Sequence, residues 1–174
     1  MNYFELFEMP VSLKVDTSQL PRKYFELQRK YHPDFFLNAG EEEQAEALEK
    51  SSLINKGFKI FQNNDETIRY VLQLKGLLED EEKYELPPEF LMEMMELNEE
   101  LMETGDSSFE EMETKMVQLE KHLYDKVQNI IEYYNDNNTT EEQLLLVKDY
   151  YFKKKYLKRI LERMEGMRNI ADQK

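Results

Sequence analysis

The stretch Gln28-Arg29-Lys30-Tyr31-His32-Pro33-Asp34 decides the fold of the first half of the chain. Just before and within it, apolar side chains recur at helical spacing, at Tyr24, Leu27 and Tyr31, which predicts an amphipathic helix with one buried stripe. Pro33 disfavours the α conformation in the residue before it, so this helix is predicted to end at His32. A polar loop must therefore follow a basic helix at this point.

Three more helices are expected around this stretch. A short one over about 2–8 precedes Pro10, and residues 16–18 offer N-caps for the basic helix. The acidic run Glu41-Glu42-Glu43 suits the positive end of a helix that reaches about Gln62. Its buried face is predicted to carry Leu48, Ser51, Asn55 and Phe58. A fourth helix, with Ile68, Val71, Leu72 and Leu74, is expected to end near Gly76.

The composition indicates a globular, helical protein without thiol chemistry. The 174 residues are 40% hydrophobic and 34% charged, and they include only five Gly and five Pro. There is no Cys and there are two His, which excludes disulfides, thiolate metal sites and a His-rich zinc site. No stretch approaches the roughly 18 apolar residues of a membrane helix, and no signal-peptide pattern follows Met1. A cytoplasmic protein without metal, cofactor or membrane contact is expected.

The charge is distributed unevenly between the two halves. Of the formal net charge of −14, residues 1–75 carry −2 and residues 76–174 carry −12. A chain with this net negative charge would repel the phosphate backbone of a nucleic acid. Nucleic acid is therefore not expected as a partner. The contrast suggests two modules with different partners, which we predict over residues 1–76 and 89–174. Residues 77–88, an acidic segment that closes with Pro87-Pro88, are the predicted linker.

The second module is predicted to be an elongated three-helix bundle, which makes the whole chain all-α. Its helices are expected over about 88–103, 107–134 and 140–170, with a break at 104–106. Ser107 or Ser108 would cap the second helix, and Thr139 or Thr140, with Glu142 behind, would cap the third. No internal repeat is present.

The first bundle helix carries more apolar surface than a bundle needs. At 100° per residue, one narrow arc that would suffice as a core seam contains Phe90, Met94, Leu97 and Leu101. A second arc contains Leu91, Met95 and Met102, with Met92 just beyond it and Glu96, Glu99 and Glu103 on the same outer side. A Leu and Met surface with an acidic rim is typical of a partner-binding face. Packing of this arc within the chain is an equally good interpretation.

An ordered set of motifs in residues 1–75 resembles the J-domain family. Tyr3-Phe4-Glu5-Leu6-Phe7 opens the chain, the His32-Pro33-Asp34 stretch follows, and Ile54-Asn55-Lys56-Gly57-Phe58 comes about twenty residues later. The resemblance implies a helical hairpin whose loop and basic helix engage a heat-shock-70-class chaperone and stimulate its ATPase. By position, the implied contact residues are His32, Pro33, Asp34, Arg22, Lys23, Arg29 and Lys30. The chain would thus be an ATPase activator and not itself an enzyme.

The segment Phe90-Leu91-Met92-Glu93-Met94-Met95-Glu96-Leu97-Asn98-Glu99-Glu100-Leu101 is similar to a helix of the HscB family of J-proteins. The resemblance implies a protein that delivers an IscU-type iron–sulfur scaffold protein to a chaperone of the HscA or DnaK type. A monomer is expected. The implied client-binding residues are Leu91, Met92, Met95, Glu96, Glu99, Glu103 and Phe152. Two residues depart from the J-domain pattern: Phe35 stands where many members have Lys, and Gly57 stands where Ala is usual. Two others depart from the HscB pattern: Asn98 stands where a relative has Arg, and Leu86 lacks a basic side chain.

Other functions fit the residues less well. A di-iron bundle needs Glu-x-x-His pairs, but Arg29 precedes His32 and Leu119 precedes His122 at that spacing. A J-protein with a different client, or a helical interaction module without chaperone coupling, remains an alternative. The basic cluster Lys153-Lys154-Lys155 with Lys158 and Arg159 is interpreted as a solvated face that balances the acidic bundle.

Overall fold

The computed structural model describes residues 1–103 and 109–172, without the side chains of Leu101, Ala171 and Asp172. Within these ranges the chain is helical and has no strand, which confirms the predicted all-α class. The α-helices are α1 (Tyr3–Leu6), α2 (Leu20–Tyr31), α3 (Glu41–Phe61), α4 (Asn64–Leu74), α5 (Pro88–Glu103), α6 (Phe109–Asp125), α7 (Gln128–Glu132) and α8 (Glu141–Asp172), and a 3₁₀ helix spans Pro33–Phe36. In the part of the chain described, every helix is too short or too polar to cross a membrane.

The first of two compact units contains residues 1–75 together with 134–138. Helix α3 is its centre, because α1, α2, α4 and the 3₁₀ helix all pack against it. Aromatic rings dominate the core: the Phe4 and Phe61 ring centroids are 4.8 Å apart, and Phe7 meets Phe61 edge-on at 5.3 Å. Asn63 caps α4 by accepting from the N–H groups of Asp65 and Glu66. The core therefore holds α1 and α4 against one helix.

Gly57 allows α1 to approach α3 closely. A Cβ atom at this position would lie 2.9 Å from Phe7 Cε2 and 3.3 Å from Tyr3 Cβ. Phe7 is almost fully buried and cannot move freely. The roughly 1 kcal/mol that Gly costs inside a helix is thus offset by packing that a larger residue would disturb.

Two details of the predicted first unit are wrong. The buried face of α3 consists of Ala47, Ser51, Ile54, Gly57 and Phe61, whereas Leu48 is 61% exposed. Asn55 is also exposed, because it faces α2 at the solvent edge and forms hydrogen bonds there. The predicted N-caps of α2 are wrong too: Gln19 occupies the cap position, and Asp16 instead accepts from Ser18 in a local turn.

The second unit contains residues 76–133 and 139–174, and α8 is its axis. Helices α5, α6 and α7 all pack on α8. The buried residues of α8 recur with helical spacing and are Leu144, Val147, Tyr150, Tyr151, Leu157, Ile160 and Met164. A reciprocal capping box begins α8, because Thr140 Oγ1 accepts from the Gln143 N–H and Gln143 Oε1 accepts from the Thr140 N–H. The cap is Thr140 as predicted, but its partner is Gln143 and not Glu142.

The helix predicted over 107–134 is interrupted. Helix α6 ends at Asp125 and α7 begins at Gln128, with Val127 between them at φ −117°. The Val127 N–H donates to the Tyr124 carbonyl, three residues back, so the last turn tightens there. No Gly or Pro marks this break, which is why the pattern missed it. The predicted break at 104–106 and the caps Ser107 and Ser108 lie outside the described residues.

Candidate functional site

The His-Pro-Asp loop, residues 32–34, follows α2 directly, and its last two residues are the first two of the 3₁₀ helix, which His32 caps. His32 ends α2: its N–H donates to the Gln28 carbonyl at 2.8 Å, and its backbone then turns extended at ψ 131°. The His32 Nδ1 atom accepts from the Asp34 N–H at 3.2 Å. A neutral His32 therefore carries its proton on Nε2. The Asp34 Oδ2 atom lies 3.6 Å from His32 Nδ1, and the Asp34 side chain is 79% exposed, so a partner has access to its carboxylate.

The basic residues of α2 have different surroundings. Arg29 and Lys30 are exposed in the last turn, where a positive charge suits the helix dipole. Arg22 pairs with Glu26 on the exposed surface at 3.2 Å. Lys23 instead donates to the carbonyls of Phe7 and Glu8, each at 3.3 Å, so it also holds the end of α1. Arg29 and Lys30 are thus the two basic side chains closest in sequence to the loop.

A small polar network fixes α2 against α3. Asn55 Oδ1 accepts from Tyr24 Oη at 2.8 Å and from Gln28 Nε2 at 2.9 Å, and Ser51 Oγ donates to Gln28 Oε1 at 3.0 Å. The Tyr24 ring stacks on Phe58 with centroids 4.2 Å apart. These contacts set the position of the last two turns of α2, which lead into the loop. Their pattern in the sequence, isolated amides on two helices, gives little signal.

Three apolar side chains near the loop were not predicted as functional. Phe25 on α2, and Phe35 and Leu37 after the loop, are all more than half exposed. The Phe35 ring approaches the His32 ring edge-on at 6.2 Å. The unbroken run Phe35-Phe36-Leu37 directly after a polar tripeptide is the signal that could have indicated this exposure.

The outer side of α5, which we call the α5 face, consists of Leu91, Met92, Met95 and Met102 with Glu96, Glu99 and Glu103. Met92 and Met95 are 63% and 60% exposed, and the other residues of the face are exposed as well. By contrast Phe90 and Met94, on the predicted seam, are buried. Among the residues that the structure describes, no cation pairs with Glu96, Glu99 or Glu103. The second apolar arc is therefore surplus to the packing of this unit.

Phe152, on α8, lines a half-open groove next to the first turn of α5. Its ring stacks on Tyr84, with centroids 4.5 Å apart and planes at 10°. Burial raises the pKa of Tyr84 to about 12, helped by the hydrogen bond that its hydroxyl donates to Asp149. The groove has a volume of about 660 Å³ and is lined by Glu82, Lys83, Tyr84, Glu85, Leu86, Leu91, Phe152, Lys155, Tyr156 and Arg159. It brings Leu91 and Phe152, two predicted client residues, to one surface.

A family model described as "HSCB C-terminal oligomerisation domain" matches residues 86–165. A co-chaperone protein HscB homolog from Photobacterium profundum is 38% identical over 109 residues, which are 62% of this chain and 64% of the relative. The match thus spans less than two thirds of that relative's length.

A second HscB homolog, from Vibrio cholerae, is 31% identical over 134 residues, which cover 74% of this chain and 78% of the relative. The solved structure of the chaperone HscB from Vibrio cholerae superimposes with a TM-score of 0.72 at 28% identity, over 99% of both chains. Sequence and fold agree over both units. The chain therefore belongs to the HscB family of co-chaperone proteins.

Proposed function

We propose that this chain stimulates the ATPase of a heat-shock-70-class chaperone, of the HscA or DnaK type, and delivers an IscU-type iron–sulfur scaffold protein to it. Membership of the HscB co-chaperone family supports the proposal. The observation that carries it is an exposed His32-Pro33-Asp34 loop at the end of a basic helix in one unit, together with an exposed α5 face in the other.

In the proposed complex, the first unit contacts the chaperone through α2 and the His-Pro-Asp loop. Arg29 and Lys30 give the encounter with an acidic surface its orientation and make its rate sensitive to salt. The Asp34 carboxylate then accepts a charge-assisted hydrogen bond from a cation of the chaperone. His32 and Pro33 hold the loop: one accepts from the Asp34 N–H, and the other fixes φ.

The second unit binds the scaffold through the α5 face. Burial of Leu91, Met92 and Met95 supplies the apolar contact area, and flexible Met side chains adapt to the partner surface. Glu96, Glu99 and Glu103 form the rim and select a partner with basic residues. With both surfaces occupied, the chain would bring the scaffold to the chaperone while it stimulates the chaperone's ATPase.

The experiment is ATP turnover by the host's heat-shock-70-class chaperone with this chain, with and without the host's iron–sulfur scaffold. The expected result is a stimulation that rises more than additively when the scaffold is present. Stimulation that is the same with and without the scaffold would support the proposed contact with the chaperone and refute the proposed delivery of the scaffold. No stimulation of any such chaperone of the host would refute the central proposal.

We also propose that the chain works as a monomer in the cytoplasm. The matched family model is described as an oligomerisation domain, so the alternative to a monomer is an oligomer formed through the second unit. Light scattering over a range of concentrations should give the monomer mass of 21.1 kDa. A mass that doubles with concentration would contradict the monomer.

A further inference from the structure

Three cations line the groove beside the α5 face and have no acidic partner in the part of the chain that the structure describes. Lys83, Lys155 and Arg159 all belong to its walls. Across residues 1–103 and 109–172, no carboxylate forms an ion pair with any of them. Lys155 and Arg159 are four residues apart on α8, so they lie on the same side of that helix.

Neighbouring lysines of the same helix behave differently. Lys148 pairs with Glu82 at 2.8 Å, Lys153 pairs with Asp149 at 2.6 Å, and Lys154 reaches Glu120 at 3.6 Å. Residues 76–174 carry a net charge of −12, so carboxylates are in excess. In the described part of this unit Lys121, Lys126, Lys158 and Arg163 also form no ion pair, but they lie outside the groove. What distinguishes Lys83, Lys155 and Arg159 is that one concave surface brings all three together, so this part of the basic cluster of α8 is more than a solvated face.

The floor of the groove is apolar and aromatic. Phe152, Tyr156 and Leu91 contribute to it, and the Lys155 Nζ atom lies 6.0 Å from the centroid of the Phe152 ring. Two acidic residues also line it, but the Glu82 carboxylate is already neutralised by Lys148. Glu85 is the second acidic residue, so the three cations give the lining a net positive charge. This combination suits a carboxylate that sits next to an apolar side chain.

We infer that the groove receives an acidic segment of the client protein that covers the α5 face, with its carboxylates on Lys155 and Arg159 and an apolar side chain on Phe152. The inference rests on the proposed function, because Leu91 belongs to both the groove and the α5 face and Phe152 is a predicted client residue. The inference also sets the orientation of the bound client along α5. The cations lie at the N-terminal end of α5, whereas Glu103 lies about 18 Å away at its C-terminal end, so a client must present negative and positive regions in that order.

The first test compares two double charge reversals of equal net charge. In the variant Lys155→Glu/Arg159→Glu, the dissociation constant of the chain for the host's iron–sulfur scaffold, measured by calorimetry, should rise at least tenfold. The control Lys121→Glu/Lys158→Glu changes exposed lysines outside the groove, and its dissociation constant should stay within about twofold of the unmodified chain. Stimulation of the chaperone's ATPase without scaffold should be equal in both variants.

A second test identifies the contact directly. A carbodiimide joins a lysine amine to a carboxylate in contact with it, so mass spectrometry of the treated complex should find Lys155 linked to an Asp or Glu of the scaffold. A complex in which Lys155 links only to a second copy of this chain would overturn the inference. So would equal affinities of the two double variants. A chain that binds no scaffold at all contradicts the proposed function, and this inference with it.

Discussion

The two candidate surfaces of the molecule are built in opposite ways. The His-Pro-Asp loop is small and polar, and backbone and side-chain hydrogen bonds hold its few residues in one geometry. The α5 face is broad and apolar, and its exposed side chains lie along a regular helix without fixed partners among the described residues. We therefore expect binding at the first surface to depend on the position of single atoms, and binding at the second to depend on contact area.

This difference predicts how each surface responds to substitution. A change of one atom at the loop should remove most of its effect, because no neighbour can replace a directed charge-assisted hydrogen bond. A change at the α5 face should weaken binding in proportion to the area lost, because flexible Met side chains can repack. Single substitutions should therefore separate the two surfaces.

The largest effect is expected from Asp34→Asn. The substitution keeps the size of the side chain and removes its charge, which should cost about 2–3 kcal/mol of the contact with the chaperone and lower ATPase stimulation roughly 30- to 150-fold. His32→Gln should lose stimulation as well without unfolding the protein. Helical circular dichroism and melting temperature serve as controls. If either variant retained stimulation, the loop would not depend on single atoms, and the contrast with the α5 face would be wrong.

A somewhat smaller effect is expected from replacing Leu91, Met92 and Met95 together by Ala. The lost apolar area should weaken scaffold binding by about 2 kcal/mol, roughly 30-fold, and leave ATPase stimulation without scaffold unchanged. Met92→Ala alone should change the dissociation constant less than fivefold. Calorimetric titration measures both. A single substitution as damaging as the triple one would show that this surface also depends on one residue.

Asn55→Ala tests whether the geometry of the loop extends to the helices behind it. Without the Asn55 acceptor, Tyr24 and Gln28 lose their common partner, and the end of α2 is held less firmly. Stimulation should fall about fivefold, equivalent to about 1 kcal/mol. Asn55→Asp keeps an acceptor oxygen and should restore most of it. If Asn55→Ala lowers thermal stability without changing stimulation, the network has only a structural role.

The smallest effect is expected at Asp136. Its pKa is held low by the hydrogen bond from Lys75 and by that from Tyr134. The carboxylate therefore stabilises the fold above the ordinary Asp value of about 4, and this contribution is lost as the pH falls through the lowered pKa. Asp136→Asn should cost less than about 1 kcal/mol at pH 7, because the pair is partly exposed.

Urea unfolding of the two proteins at pH 7 and at pH 3 measures this contribution. The difference in free energy of unfolding should be smaller at pH 3, where the carboxylate of the unfolded chain is already protonated. A difference that does not depend on pH would exclude the ion pair as its cause.

Local sequence rules predicted the elements of the fold well. Pro33 fixed the end of α2, and Thr140 supplied a cap that the structure uses. The rules failed where tertiary contacts decide. The break at Val127 has no local signal, and the buried face of α3 lies one residue away from the predicted one because α1 packs on Gly57.

For the candidate site, the sequence indicated which residue types are involved, but not their exposure or their ion pairs. The surplus arc of α5 was predicted from its periodicity, but only the structure distinguishes internal packing from exposure at Met92 and Met95. The groove could not be predicted, since it combines residues 82–91 with α8, and the pairing of each lysine depends on the packing of whole helices. The partner roles of the residues remain predictions.

The exposure of the α5 methionines makes this surface sensitive to oxidation. Met92, Met95 and Met102 present their thioethers to solvent, whereas Met94, Met112, Met116 and Met164 are buried in the second unit. Peroxide converts an accessible thioether into a polar sulfoxide, which disfavours apolar contacts. Among the described residues, which contain no Cys, five methionines are exposed, and three of them lie on the surface proposed to hold the client; Met1 and Met167 are the other two. Oxidative stress would loosen the client before it damaged the fold.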